Sequence, residues 1–153
     1  MIDIQIAEQL DLSEDPNAVS KALETAAQTT LKLADADSSV ELTILLTDDA
    51  EIQQLNNQFL GLDTPTDVLS FPAGELDPES EALYLGDIVI SVPRAQAQAE
   101  AGGHPYMEEM QLLVVHGVLH LLGHDHGEMD EKARMWALQS KALTELGCRL
   151  SPP

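Results

Sequence analysis

The chain has very little cysteine and no long apolar run, and each shortage excludes a class of protein. Cys148 is the single cysteine among 153 residues, so no disulfide can form within the chain, which fits a reducing compartment. No run approaches the roughly 18 apolar residues of a membrane span. The N-terminus, Met-Ile-Asp-Ile-Gln-Ile-Ala, lacks the basic cluster and the apolar stretch of a secretory signal. We therefore expect a cytoplasmic protein that does not contact a membrane.

Basic residues are also scarce. Seven Lys and Arg residues face 27 Asp and Glu residues, which gives a formal net charge of −20. Nonspecific binding to nucleic acids depends on cationic side chains that displace counterions from the phosphates. The composition therefore argues against nonspecific binding to DNA or RNA. Any contact with RNA must be local, helped by a partner, or dependent on a metal.

Length and hydrophobic pattern predict the domain organisation. The 153 residues and 44% hydrophobic content suit one compact domain over residues 1–150, followed by a frayed tail at 151–153. Strands are expected at 2–6, 40–46, 66–71 and 83–92, and helices at 18–34, 50–60, 93–100, 105–122 and 128–146. The order of strand, helix, strand, helix, two strands and then helices predicts an α/β fold.

The sequence also predicts where the third strand ends and which face of the last helix points inward. Pro72 is expected to end the third strand, and the acidic segment 73–82 is expected to be a mobile loop with no fixed structure of its own. Six residues of the last helix share its expected inward face: Ala133, Trp136, Ala137, Ser140, Leu143 and Leu146.

The most informative run is 116–126, which reads His-Gly-Val-Leu-His-Leu-Leu-Gly-His-Asp-His. His116 and His120 are one helical turn apart, so both imidazoles leave the same face of the predicted helix. Gly123 follows where a helix can end in a left-handed turn, which lets the chain double back. Three neutral imidazoles with an open fourth position form a catalytic zinc site.

The third ligand is assigned by spacing. Metzincin proteases carry His-Glu-x-x-His-x-x-Gly-x-x-His, and this chain matches that pattern at His116, His120, Gly123 and His126. We therefore predict one Zn²⁺ held by His116, His120 and His126. His124 is the alternative third ligand, but it directly follows the glycine and leaves no room for the turn.

The expected general base of a zinc protease is missing, because Gly117 stands where the proteases have glutamate. Asp125 is the nearest acid, and we expect it to orient an imidazole or cap the next segment rather than act as the base. Glu108 and Glu109 are expected to be surface or capping acids. His104 has no motif around it and is expected to be an exposed loop histidine.

Together these residues resemble a known family. The histidine run is similar to the signature of the bacterial rRNA maturation factor YbeY family of zinc-dependent endoribonucleases. The pair Leu55-Asn56, the block Thr66-Asp-Val-Leu-Ser-Phe-Pro72 and the segment Gly86-Asp-Ile-Val-Ile90 also fit that family, in the right order. The resemblance spans roughly residues 40–146.

The resemblance implies both a fold and a function. It implies a single zincin-like α/β (α+β) domain with a small mixed four-stranded sheet and about five helices around the histidine-bearing helix. It implies one zinc ion on His116, His120 and His126, and cleavage of single-stranded RNA. It further implies maturation of the 3′ end of small-subunit rRNA, a role in ribosome quality control, and rRNA precursors, the ribosome or small-subunit proteins as partners.

The chain departs from the family at Leu60, where members usually carry an arginine that faces the metal groove. An arginine there would hold a phosphate bidentately. Arg94 is a candidate replacement cation, although a solvated charge at a helix end is the simpler interpretation. Asp67 and Ser70 of the third strand are candidates to point into a groove for an extended substrate.

Two other functions remain open from the sequence. The spacing permits a metzincin-like zinc peptidase or another zinc hydrolase, which Gly117 disfavours. Leu60 and the net charge of −20 also permit a non-catalytic ribosome-assembly factor with structural zinc. A structural metal supplies folding energy, so removing a ligand would unfold such a protein.

Overall fold

The computed structural model describes residues 1–12, 14–37, 39–76, 78–79, 81–124 and 128–148. Its elements in chain order are β1 (Ile2–Ile6), α1 (Pro16–Leu33), β2 (Glu41–Thr47), α2 (Asp49–Leu60), β3 (Val68–Leu76), β4 (Leu83–Ser91), α3 (Val92–Gly102), α4 (Tyr106–Leu121) and α5 (Met129–Leu146). Within these ranges, no helix is both long and apolar enough to cross a membrane. The predicted tail at 151–153 lies outside them.

The four strands form one mixed sheet in the order β1-β2-β4-β3. The pairs β1–β2 and β2–β4 are parallel, whereas β3 runs antiparallel to β4 and occupies an edge. The described residues form four strands and five helices in a single α/β domain, which confirms the predicted fold class. β3 therefore presents a free edge beside the element that carries the histidines.

That element is α4, which lies at the centre of the fold. Ten of its sixteen residues are buried, because it packs against α1, α3 and α5 and against strands β3 and β4. A helix that is apolar on most sides is expected in such a position. The side chain of Leu121 reaches Gly86, and Gly117 lies against Ile88, so α4 runs antiparallel to β4. The predicted turn after α4 is also present, since Gly123 has a φ of +94°.

The prediction that Pro72 ends the third strand is wrong. β3 continues to Leu76, with Pro72 opposite Gly86 and Leu76 opposite Leu83, and the pairing is irregular between Pro72 and Glu75. Proline has no N–H to donate to a ladder, but an edge strand can accept it where no further strand needs that hydrogen. Residues 73–76 are therefore strand rather than loop.

Half of the predicted inward face of α5 is confirmed, because Leu143 is buried and Trp136 and Leu146 pack against the main core. The other half is wrong: Ala133, Ala137 and Ser140 are exposed, while three residues that the prediction left out are buried, namely Met135, Gln139 and Ala142. Alanine gains little from burial, so the larger Met135 is buried and Ala133 and Ala137 are left exposed. This orientation of the helix places the polar side chain of Gln139 inside the protein.

Candidate metal centre

The two histidines of α4 face each other at its C-terminal end. Their Nε2 atoms are 2.9 Å apart, and their ring centroids are 4.5 Å apart with an interplanar angle of 72°. Residues at positions i and i+4 of a helix project from the same side, which brings the rings together without any bend in the backbone. Both side chains are half-buried.

Gln139 of α5 holds the first of these rings. Its Oε1 lies 2.8 Å from Nδ1 of His116, and the residue is fully buried. Because an amide oxygen only accepts hydrogen bonds, Nδ1 of His116 must donate. A neutral imidazole protonated at Nδ1 keeps its lone pair at Nε2, the atom that faces His120.

The donor chemistry of this pair fits a divalent transition metal. Because Nε2 of His116 carries a lone pair, the close approach of Nε2 of His120 requires either a proton on His120 or a cation between the two nitrogens. Two nitrogens on one tetrahedral zinc, at about 2.0–2.1 Å each, lie about 3.3 Å apart. The observed 2.9 Å between the Nε2 atoms is close to that separation.

The third predicted ligand, His126, and its neighbour Asp125 lie outside the described residues. Within the described part of the chain, no three His, Cys, Asp or Glu side chains form a metal site. His124 is described, and it lines a small surface pocket of about 190 Å³ with Glu131 and Arg134 of α5. Its backbone N–H donates to Leu119 at 2.9 Å, which completes the turn after α4.

The position next to the first histidine faces the sheet. A Cβ at Gly117 would lie 3.0 to 3.2 Å from three side-chain atoms of Ile88, which is itself fully buried. Those contacts are tighter than ordinary van der Waals packing, so Ile88 occupies the space that a side chain at 117 would need. A glutamate base of the zinc-protease kind at this position would therefore require Ile88 to shift.

A groove lies on the opposite face of the sheet, which α2 covers in part. It measures about 820 Å³, and its walls include Phe59, Leu60, Phe71 and Tyr84. Phe59 and Leu60 are 59% and 56% exposed, and the rings of Phe59 and Phe71 have centroids 5.3 Å apart. This groove is apolar and aromatic at the end of α2.

The floor of this groove carries a polar pair. The Tyr84 hydroxyl donates to the carboxylate of Asp87, and the Thr43 hydroxyl lies 2.7 Å from the same phenol oxygen. Burial, followed by these carboxylate contacts, raises the pKa of Tyr84 to about 12. Tyr84 therefore remains a neutral phenol at physiological pH.

The edge strand β3 separates this groove from the histidines. Phe71 packs with the small cluster of Ile52, Leu69 and Val89 on the α2 side, whereas Val68 packs against the main core. Ser70 alternates with Phe71 and pairs with Ile88, the residue that touches Gly117. Successive residues of a strand point to opposite faces, so the side chain of Ser70 lies on the face of α4. Ser70 also lines the groove, because β3 forms the edge between the two faces.

Comparison with known proteins decides the family. The family model described as endoribonuclease YbeY matches residues 5–147. The chain belongs to the endoribonuclease YbeY family. It is similar to the endoribonuclease YbeY of Persephonella marina (44% identical over 133 residues, 86% of each chain) and to that of Roseiflexus castenholzii (44% over 153 residues, 96% of this chain and 93% of the relative).

A solved structure supports the same relationship. The solution structure of a protein from Thermotoga maritima matches with a TM-score of 0.65 and 29% sequence identity. The match covers 95% of this chain and 89% of the other. The fold described above is therefore shared with a protein whose structure is known.

In this YbeY family member, two of the predicted substrate-binding residues lie at the carboxyl end of β4. Arg94 pairs with Asp49 of α2 at 3.4 Å, and Asp67 accepts hydrogen bonds from Val68 N–H at 2.8 Å and from the Gln98 amide at 3.4 Å. Asp67 lies opposite Ser91, about 10 Å along the strand from Ile88 at the usual rise per residue. No described contact joins either residue to the histidines.

Two further expectations need correction. His104 is not an exposed loop residue, and Glu109 is not a surface acid. Their side chains are only 19% and 10% exposed. Nε2 of His104 lies 2.8 Å from Oε2 of Glu109. The short connection between α3 and α4 brings the His104 side chain onto the first turn of α4, while its backbone N–H donates to the carbonyl of Ala99 in α3 at 3.1 Å. This pair stabilises the turn between the two helices.

Sequence reasoning missed Gln139. The signal that identifies it is a polar residue in phase with Met135, Ala142 and Leu143, the buried positions of α5. This signal can be used only when the buried face of α5 is known. The alanines of the helix fit more than one face, so the sequence pattern alone does not identify it.

Proposed function

We propose that this chain is a zinc-dependent endoribonuclease that cuts single-stranded RNA, matures the 3′ end of small-subunit rRNA and acts in ribosome quality control. The observation that carries the proposal is the pair His116 and His120, with Nε2 atoms 2.9 Å apart in a chain of the endoribonuclease YbeY family. The ribosomal substrate and the small-subunit partners follow from the family resemblance.

The residues proposed to hold one zinc ion are His116, His120 and His126. Zinc bound by three histidines supplies Lewis acidity toward a phosphoryl oxygen and toward water. The chain itself contributes three things to the site. Gln139 orients the ring of His116, Ile88 fills the space beside Gly117, and Ser70 lies on the same face as the histidines.

The groove supports the proposal of single-strand specificity. Its exposed Phe59, together with Phe71 and Tyr84, offers faces on which unpaired bases can stack. In a duplex those base faces are already stacked and unavailable. A single strand that crosses the free edge of β3 would reach the groove on one face and the histidines on the other.

The test compares cleavage of a single-stranded RNA, its duplex and the matching DNA strand. We expect the single-stranded RNA alone to be cut, with cleavage lost on chelation and restored by zinc. His116→Ala should remain folded by circular dichroism, bind less metal by mass spectrometry and lose cleavage. His104→Gln is the matched control, because His104 contacts Glu109 instead and its variant should still cleave. Full cleavage by His116→Ala would contradict the proposal.

A non-catalytic assembly factor with structural zinc is the second candidate. It is favoured by Leu60, which stands 56% exposed where the family usually has an arginine, and by the net charge of −20. It predicts that His116→Ala unfolds the protein and that the wild-type chain leaves RNA intact. The same variant therefore separates the two functions.

The products of cleavage would identify the attacking group. A cyclic phosphate or a 2′/3′ phosphate indicates attack by the 2′-hydroxyl of the RNA, whereas a 5′ phosphate indicates attack by water. Mass spectrometry of the fragments distinguishes these ends.

A further inference from the structure

We propose that Gln139 is a positioning residue that fixes the tautomer and the orientation of His116, so that His116 presents the lone pair of Nε2 to the metal. This inference rests on the proposed function, because it assigns a role to Gln139 in the same site. The contact that carries it is the 2.8 Å separation of Gln139 Oε1 from His116 Nδ1.

The direction of this hydrogen bond determines the tautomer. Oε1 has no hydrogen to give, so the proton between the two atoms belongs to Nδ1 of His116. The neutral ring then carries no proton at Nε2, which lies 2.9 Å from Nε2 of His120. Without the amide oxygen, the Nε2–H tautomer also becomes accessible, and that tautomer has no lone pair for a metal at Nε2.

Packing alone does not account for a glutamine at this position. Gln139 is fully buried on a face shared with Met135, Ala142 and Leu143. Its Nε2 is also buried and has no hydrogen-bond partner among the described residues. A buried polar atom without a partner destabilises a fold, and methionine of similar shape would avoid that loss. The contact with His116 gives the amide a function that methionine cannot supply.

The arrangement matches the general chemistry of metal sites. A metal-binding histidine is normally held through its other ring nitrogen by a hydrogen-bond acceptor, and loss of that acceptor typically weakens metal binding about 10- to 100-fold. Gln139 comes from α5, whereas His116 and His120 come from α4. The packing of α5 on α4 therefore contributes directly to the geometry of the site.

The experiment uses the full chain and three variants. Gln139→Met removes the acceptor but keeps the shape, and Gln139→Glu keeps an acceptor oxygen. Gln111→Met is the matched control, because Gln111 contacts Ala22 and Cys148 rather than a histidine. Three quantities are measured: the His116 tautomer in zinc-free protein by ¹⁵N NMR, zinc affinity by competition with a chromophoric chelator, and the stability of the zinc-free protein in urea.

We expect wild type and Gln139→Glu to keep the proton on Nδ1 of His116. Gln139→Met should lose that single tautomer, bind zinc about 10- to 100-fold more weakly, and match or exceed the wild type in zinc-free stability. Gln111→Met should leave tautomer and affinity unchanged. A merely structural glutamine would lower stability without moving the tautomer, and that result would overturn the inference.

Failure of the proposed function gives a different result. If the wild-type chain binds no zinc, both the proposed function and the role of Gln139 toward the metal are wrong. If the wild type binds zinc and Gln139→Met binds it equally well, the role of Gln139 is wrong while the proposed function stands. Should Gln139→Met not fold, Gln139→Leu and the conservative Gln139→Glu still give the tautomer and the affinity.

Discussion

At the scale of single residues, Gly86 has the least space for a side chain among the described glycines. Its φ is +140°, and a Cβ built there would lie 2.2 Å from the backbone oxygen of Phe71 on the paired strand β3. Backbone atoms inside a sheet cannot yield as a flexible side chain can. We expect Gly86→Ala to lower the free energy of unfolding by about 3 kcal/mol or more, as a strained backbone combined with a steric clash does.

Gly74 provides the matched control for this clash. It lies on β3, has a φ of +63°, and has no neighbouring atom within 4 Å of the Cβ that alanine would add. Gly74→Ala should therefore lower the free energy of unfolding only by the cost of holding alanine in a left-handed backbone conformation, about 1 kcal/mol. Urea unfolding of both variants measures the difference. Equal losses would show that the close approach of Phe71 does not constrain position 86.

The single thiol offers a second prediction at this scale. Burial, and then the charge of Glu108, raises the pKa of Cys148 to about 11, and its sulfur lies 3.3 Å from Oε1 of Gln111. The thiolate is the reactive form, and its fraction at pH 8 falls about 100-fold when the pKa rises by two units. Ellman's reagent should therefore react about 100-fold more slowly with the folded protein than with the chain in urea. Equal rates would place Cys148 in an exposed setting.

The residues of the site differ in how far sequence predicts them. His116 and His120 are set by helical spacing, a local property, and the structure brings their rings together. Gln139 is 23 residues from His116 and meets it only because α5 packs on α4. His104 meets Glu109 because the turn before α4 folds back, which no local pattern encodes. Long-range packing therefore accounts for what sequence reasoning missed.

At the scale of elements, α2 and α3 are joined at their first turns by a polar contact. The Ser91 hydroxyl donates to Asp49 Oδ1 at 2.6 Å, and Arg94 lies 3.4 Å from the same carboxylate. The hydrogen bond from Ser91, and then the contacts with Arg94, hold the pKa of Asp49 below its usual value despite some desolvation. This contact connects the helices that follow β2 and β4.

The sign of the pH dependence follows from that lowered pKa. The unfolded chain binds a proton at Asp49 near pH 3.8, whereas the folded chain binds it only at lower pH. The stabilisation is therefore complete above about pH 5 and lost as pH falls through the folded pKa. Because the Asp49 side chain is 43% exposed, solvent screening limits the contribution to below about 1 kcal/mol.

Asp49→Asn tests this dependence. The variant should be less stable than wild type at pH 7, and the difference in free energy of unfolding should shrink between pH 4 and pH 2. Urea unfolding across that range measures it. Asp63→Asn, an exposed acid after α2, is the control and should give a smaller difference at pH 7. If the difference in free energy of unfolding between wild type and Asp49→Asn stays constant down to pH 2, the pKa of Asp49 is not lowered in the folded protein.

Element boundaries were predicted best where local signals agree. The helix that the pattern predicts over 50–60 is observed at Asp49–Leu60, where Asp48 caps it by accepting from the Glu51 N–H at 2.9 Å. The end of β3 was missed, because proline stops a strand only where its missing N–H is needed. Which strand lies at the edge is decided by the whole sheet and not by residues 66–76.

At the scale of the whole molecule, the net charge of −20 limits the electrostatic contribution to RNA affinity. Proteins that hold RNA through many cationic contacts lose affinity steeply as salt rises, with a slope of about −0.7 per neutralised phosphate on single strands. Here only seven Lys and Arg residues are present, and Arg94 is already paired with Asp49. Under the proposed function, RNA binding therefore depends on the aromatic groove and on the proposed metal site rather than on counterion release.

The excess of acidic residues predicts how the affinity for RNA depends on salt concentration. Raising NaCl from 20 to 150 mM screens the repulsion between the acidic surface and the phosphates, since the Debye length shrinks to about 8 Å. We expect the dissociation constant for a labelled single-stranded RNA, measured by fluorescence anisotropy, to stay constant or improve over this range. Phe59→Ala should weaken binding at every salt concentration alike, because stacking contributes about 1–3 kcal/mol per base whatever the ionic strength. A tenfold loss of affinity at 150 mM NaCl would instead show that several Lys or Arg side chains contact the phosphates, which contradicts this prediction.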